Sequence, residues 1–166
     1  MDYTYDFRDL SNEDIIEIIA EFEDIDLLDD SGDTVLLWAC KEYNFEVLEY
    51  SLSKRANANF INECGEAPLH QLIEMGEYKE ELAISLIQKL LEYGADIELR
   101  AYMDKTPFLK ACSRNSIKII EFLANNGANT KANISEYGKI LDGNFFANIF
   151  ANSPDVKECI RNLVNS

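Results

Sequence analysis

At 166 residues the chain is long enough for one domain with a real core, and 31 acidic against 15 basic side chains leave it a formal charge of −16. A surface that negative repels nucleic acid and anionic lipid, so direct binding to either is not expected. No apolar run approaches the roughly 20 residues that cross a bilayer, so no membrane role is expected either.

The first residues, Met1-Asp2-Tyr3-Thr4-Tyr5-Asp6, are acidic and lack the apolar stretch of a secretory leader. Ser11-Asn12-Glu13-Asp14 reads as a capping-box start for a helix bearing Ile15, Ile16, Ile18, Ile19 and Phe22. Acidic side chains crowd this end: residues 1–33 hold 13 of them and a single arginine, whereas the rest of the chain carries 18 acidic and 14 basic groups. Gly32-Asp33-Thr34-Val35-Leu36-Leu37-Trp38-Ala39 follows, with the Thr34 hydroxyl placed to cap a first helical turn and Leu36 opening an apolar stripe. A second helix over Phe45, Val47, Leu48 and Leu52 covers that stripe, and Arg55-Ala56-Asn57-Ala58-Asn59 closes the unit.

The same pattern then returns. Gly65-Glu66-Ala67-Pro68-Leu69-His70-Gln71-Leu72 lies 33 residues on, and Asp104-Lys105-Thr106-Pro107-Phe108-Leu109-Lys110-Ala111 after a further 39. Pro68 and Pro107 fall at the first helical position, where the missing N–H costs nothing. The closing motif recurs as Gly94-Ala95-Asp96-Ile97-Glu98 and Gly127-Ala128-Asn129-Thr130-Lys131, with each glycine where a helix ends in left-handed geometry. Arg55 holds that place in the first unit and predicts a strained or redirected turn. The extra 6 residues of the middle unit fall in or near Gly76-Glu77-Tyr78-Lys79-Glu80-Glu81 and are expected to lengthen a helix or the loop between helices. Ile117, Ile119, Ile120, Phe122 and Leu123 mark the third covering helix. Beyond it, Tyr137 to Ala151 reads as a degenerate helix (Ile140, Leu141, Phe145, Phe146, Ile149, Phe150), and Ser153-Pro154 starts a last one through Val156, Ile160 and Leu163.

A period near 33 carrying T-P-L-H-x-A resembles the ankyrin repeat. The resemblance covers roughly residues 12–164 and implies an all-α repeat solenoid, an ankyrin stack of helix-turn-helix units with short finger hairpins. Its phase divides the single 1–166 domain into an acidic N-terminal capping helix (1–29), three repeats (30–61; 62–100 with the insertion; 101–133) and a degenerate C-terminal capping repeat (134–166). Since a lone repeat cannot bury its apolar face, both ends are expected to be closed. Proteins of this kind work by binding other proteins, through their fingers and the exposed side of each inner helix. By phase these positions are Asp30, Ser31, Asp33, Glu63, Cys64, Glu66, Tyr102, Met103 and Lys105 on fingers, and Lys41, Glu42, Glu74, Met75, Ser113 and Arg114 on helices. Asp29 joins them as part of the acidic cap. Leu37 and Leu109 stand in place of the motif histidine, and Asp104 in place of the finger glycine, so a reshaped third finger is expected.

Catalysis is not expected. The only histidine, His70, sits in the T-P-L-H position, where an imidazole bonds to neighbouring backbone, and no phosphate-binding glycine loop or H-E-x-x-H motif occurs. The four cysteines (Cys40, Cys64, Cys112, Cys159) are dispersed, and Cys40 and Cys112 fall on core positions, as expected for a reducing, cytoplasmic setting. No cofactor and no metal is expected, and the chain alone should be a monomer. The partner that suits the charge is a basic protein, for instance a toxin or another nucleic-acid-binding protein, giving a cytosolic inhibitor or immunity protein. An ankyrin adaptor or scaffold, host-directed or cellular, is the alternative, and a binding subunit of one housekeeping enzyme a third.

Overall fold

The computed structural model describes residues 7–151 and 153–166; the expectation about a leader rests on residues outside that set. Helices follow one another in pairs and build two layers. The inner layer stacks α2 (Val35–Glu42), α4 (Pro68–Glu74), α6 (Pro107–Ala111) and α8 (Gly143–Phe150). The outer layer stacks α1 (Asn12–Ala20), α3 (Phe45–Ser53), α5 (Glu80–Glu92), α7 (Ile117–Asn125) and α9 (Pro154–Asn165). The core lies between the layers and is continuous from Ile15 and Ile19 through Leu36, Leu69 and Phe108 to Ile160. The repeat solenoid expected from the period is the architecture found.

Local chemistry explains most helix ends. Ser11 and Asp14 make a reciprocal capping box. Thr34 and Thr106 accept the N–H three residues on, and Asn44 and Ser116 do the same for the outer helices. At α4 the equivalent residue is Ala67, and that helix starts with no side-chain cap. Gly94 and Gly127 take positive φ after α5 and α7, and Arg55 adopts φ 68° at the same place, so the first unit keeps the turn with a side chain that resists it.

Two ladders hold successive units in register. In the outer loops Asp26 accepts from the Asn57 N–H (2.9 Å), Asn59 from Asp96 (2.7 Å) and Glu98 from Asn129 (2.6 Å), which accounts for the recurring Asp/Asn/Glu of the closing motif. At the first three fingers the turn closes through the same two backbone bonds, as in Asn62 N–H to Glu66 O and Gly65 N–H to Asn62 O. Asp29 and Asn62 brace the first two fingers from their side-chain oxygens. Ala101 has no such oxygen. The third finger instead places Met103 and Asp104 at φ 57° and leans on the second through Tyr102 N–H to Gly65 O (2.9 Å), so it is reshaped as anticipated.

The insertion lengthens both candidates at once: a 3-10 turn over Gly76–Tyr78 and a 13-residue α5. Its carboxylates buttress the next unit, with Glu77 accepting from the Asn115 N–H, Glu80 from the Ser116 hydroxyl and Glu81 from Lys118.

One expected helix is corrected. Tyr137 to Ala151 is not helical throughout; β1 (Asn133–Glu136) and β2 (Lys139–Asp142) form an antiparallel hairpin, and α8 starts only at Gly143. Tyr137 and Gly138 both take positive φ (49° and 73°), which suits a two-residue hairpin turn. Within β2 Ile140 is exposed and Leu141 buried, since successive strand residues point to opposite faces. Asp142 then caps α8 by accepting from Phe145 N–H. The fourth finger is therefore the longest.

Candidate protein-interaction surface

The fingers and the open side of the inner helices meet in one concave groove. Its N-terminal half is a chain of ion pairs. Lys41 bridges Asp33 and Glu66, each at 2.7 Å, while Asn62 donates to both carboxylates and Gln71 to Glu66. Burial works against the Lys41 ammonium, but its bonds and charges with Asp33 and Glu66 outweigh that and raise its pKa. Burial likewise raises the Glu66 carboxyl, and hydrogen bonds from Lys41, Asn62 and Gln71 more than reverse it. One unit further, Glu74 pairs with both Lys110 and Arg114. A cleft of about 290 Å³ opens here between the second and third fingers, floored by Gln71, Glu74 and Lys110 and edged by Cys64 and Tyr102.

Equivalent positions change character along the groove. The residue before each helix cap runs Asp33, Glu66, Lys105, Leu141; that seven residues after the cap runs Lys41, Glu74, Ser113, Ile149, and its neighbour Glu42, Met75, Arg114, Phe150. The floor thus passes from charged to apolar. Lys105 sits at the changeover, its ammonium 4.2 Å from the Phe146 ring centre and 5.3 Å from that of Phe150. Burial, and then the neighbouring Lys110 charge, lower its pKa. Its carbonyl accepts from His70 Nε2 at 2.8 Å, the backbone role expected of this imidazole.

The structure sorts the positions expected to touch a partner. Asp30, Ser31, Glu42, Glu63, Cys64, Met75, Tyr102 and Met103 are exposed, and Asp29 is half-buried. Asp33, Lys105 and Ser113 are buried instead: Asp33 faces Lys41 and Asn62, and Ser113 donates to the Leu109 carbonyl. Lys41, Glu66, Glu74 and Arg114 are half-buried and already paired within the chain. Each of these groups sits where repeat phase puts it, but its neighbours in the adjacent unit claim it first. The apolar end of the groove was missed. Tyr137 (94% exposed) and Ile140 are exposed on the hairpin of the fourth finger, and Ile149 and Phe150 at the end of α8. The signal was the Tyr137-Gly138 pair between alternating segments, which the apolar count over 140–150 concealed.

Cys40 and Cys112 are free and buried, and burial pushes both thiols up. Among the described residues no helix is long and apolar enough to cross a membrane.

Paired helices stacked in two layers, with fingers fringing a concave groove, define a repeat solenoid of the protein-binding class. The chain belongs to the ankyrin repeat family: residues 8–101, more than half of it, match that family under the description Ankyrin repeats (3 copies). An ankyrin repeat protein of Rickettsia bellii (strain RML369-C) is 30% identical over 131 residues, 78% of this chain and 39% of that protein. A fowlpox virus ankyrin repeat protein is 32% identical over 99 residues, 57% of this chain and 28% of its own. NF-kappa-B inhibitor alpha of Gallus gallus is 25% identical over 133 residues, 69% of this chain and 40% of its own. The chain spans no more than two-fifths of the length of these relatives. Ankyrin repeats are modules of protein–protein interaction, not of catalysis.

Proposed function

We propose that this chain is a non-catalytic inhibitor that captures a basic protein in its concave groove and blocks it by occupancy. The observation that carries the reading is the lopsided charge, 13 acidic groups to one arginine over residues 1–33, beside a groove that further along offers exposed Met75, Tyr102, Met103 and, at its far end, Phe150. Field and anchors then divide the work: the acidic end accelerates and orients encounter, and the apolar end supplies contact area. A relative named as an inhibitor supports the inhibitory sense. A toxin nuclease, neutralised by an immunity protein, is the most concrete partner of this description.

Capture from the source cells, followed by titration of the captured protein, tests the reading. We expect a one-to-one complex, loss of the partner's activity, and an on-rate that falls with salt and with Asp29→Asn and Asp30→Asn. Tyr102→Ala and Met103→Ala should each weaken the complex about tenfold, the loss of about 1.4 kcal/mol apiece. A complex indifferent to all four substitutions, or a partner that stays active when bound, refutes it. A second reading, an adaptor aimed at host proteins, is favoured by the company of Rickettsia and fowlpox virus relatives; a complex that forms without inhibition would select it.

A further inference from the structure

The outer face of α1 combines exposed acidic and apolar side chains. Ile15 and Ile19 are buried against α3, and Asn12 locks the pair of helices together through Glu46 and Asn44. Away from that contact, Asp14, Glu17, Ile18 and Glu21 follow at helical spacing and share one face. With Leu10 they line an open depression of about 800 Å³. A helix face left to water is ordinarily polar. Here Leu10 and Ile18 are 41% and 38% exposed in the middle of that face.

Of the acids around them, Asp14 accepts from the Ser11 N–H and hydroxyl in the capping box. Among the described residues no cation pairs with Glu17 or Glu21. The stack also dictates the shape of what fits. Outer helices lie one against the next from α1 to α9, so a helix laid along the exposed side of α1 would pack as its neighbours in this layer do. We propose that this face is a docking site for a basic amphipathic helix of another protein. Its apolar residues cover Leu10 and Ile18, and its Lys or Arg residues reach Asp14, Glu17 and Glu21. The inference shares the basic partner with the reading above but uses a different surface, so the two can fail separately.

The test uses the whole chain and two synthetic peptides of leucine and lysine, identical in composition. One is ordered as an amphipathic helix and the other is scrambled. The ordered peptide should bind at least about tenfold more tightly, a difference of about 1.4 kcal/mol. Leu10→Ser with Ile18→Ser should abolish that preference with an unchanged thermal melt. Glu17→Gln with Glu21→Gln should weaken both peptides and flatten their salt dependence. Tyr102→Ala with Met103→Ala should change nothing. Equal affinity for the two peptides would reduce the face to general acidity and overturn the proposal. So would binding insensitive to Ile18, or binding lost only with the Tyr102 and Met103 substitutions, which would return it to the concave groove.

Discussion

Replacing Ala67 by threonine should stabilise this protein, for reasons the neighbouring units make explicit. Thr34 and Thr106, both fully buried, cap α2 and α6, whereas α4 starts uncapped at Ala67. A second group suffers from the same absence. His70 Nε2 donates to the Lys105 carbonyl, which leaves Nδ1 as a lone-pair acceptor, and that buried atom has no hydrogen-bond partner. A threonine hydroxyl at 67 can accept from the His70 N–H and donate to Nδ1. The cap contributes ~1 kcal/mol. Satisfying a buried acceptor adds ~1 kcal/mol. Ala67 already has extended backbone angles (φ −133°, ψ 150°) of the kind a β-branched residue tolerates. A net gain of about 1–2 kcal/mol corresponds to a melting temperature higher by about 3–6 °C in a domain of this size. Calorimetry on the parent, Ala67→Thr and Ala67→Val decides the matter, because valine supplies the shape without the hydroxyl. No gain with threonine, or an equal gain with valine, refutes the reasoning. The ring itself offers a further check. Burial, reinforced by the Lys110 charge, lowers the His70 pKa from 6.5 to about 4. As pH falls the unfolded chain takes up this proton first. The stability due to neutral His70 is therefore complete above pH 6.5 and drains away toward pH 4, by at most about 1.4 kcal/mol per pH unit. An imidazole NMR titration showing protonation near pH 6.5 would contradict the buried, neutral ring.

Arg55→Gly should raise stability by about 0.5–1 kcal/mol in urea denaturation, since glycine meets positive φ without the steric penalty. Leu123→Ala, at a fully buried site, should cost about 2–5 kcal/mol, and a melt that does not move would contradict the assigned phase. Lys105→Met keeps the stem and removes a buried ammonium, so it should be neutral or stabilising. Lys105→Glu sets a carboxylate against the faces of Phe146 and Phe150 and should lower the melting temperature by about 5 °C or more.

Much of the architecture was legible because its causes are local and repeated. A hydroxyl at 34 and 106, prolines at 68 and 107, and glycines at 94 and 127 each act within one turn of backbone, so their spacing reveals the helices directly. The fourth unit was less legible. Its hairpin depends on a turn at Tyr137 and Gly138 that an apolar-rich stretch obscures, and the same residues score as a helix when only hydrophobicity is counted.

The interaction surface divides in the same way. Repeat phase alone placed the fingers and inner-helix positions on one side of the stack, and composition alone placed the negative field at the N-terminal end. Which of those side chains remain free was decided by contacts 25 to 40 residues apart, such as Lys41 with Glu66 and Glu74 with Arg114. Only stacking brings such partners within reach, and a paired charge has little left to offer a visitor. Periodicity is a property of the chain; availability is a property of its neighbours in space.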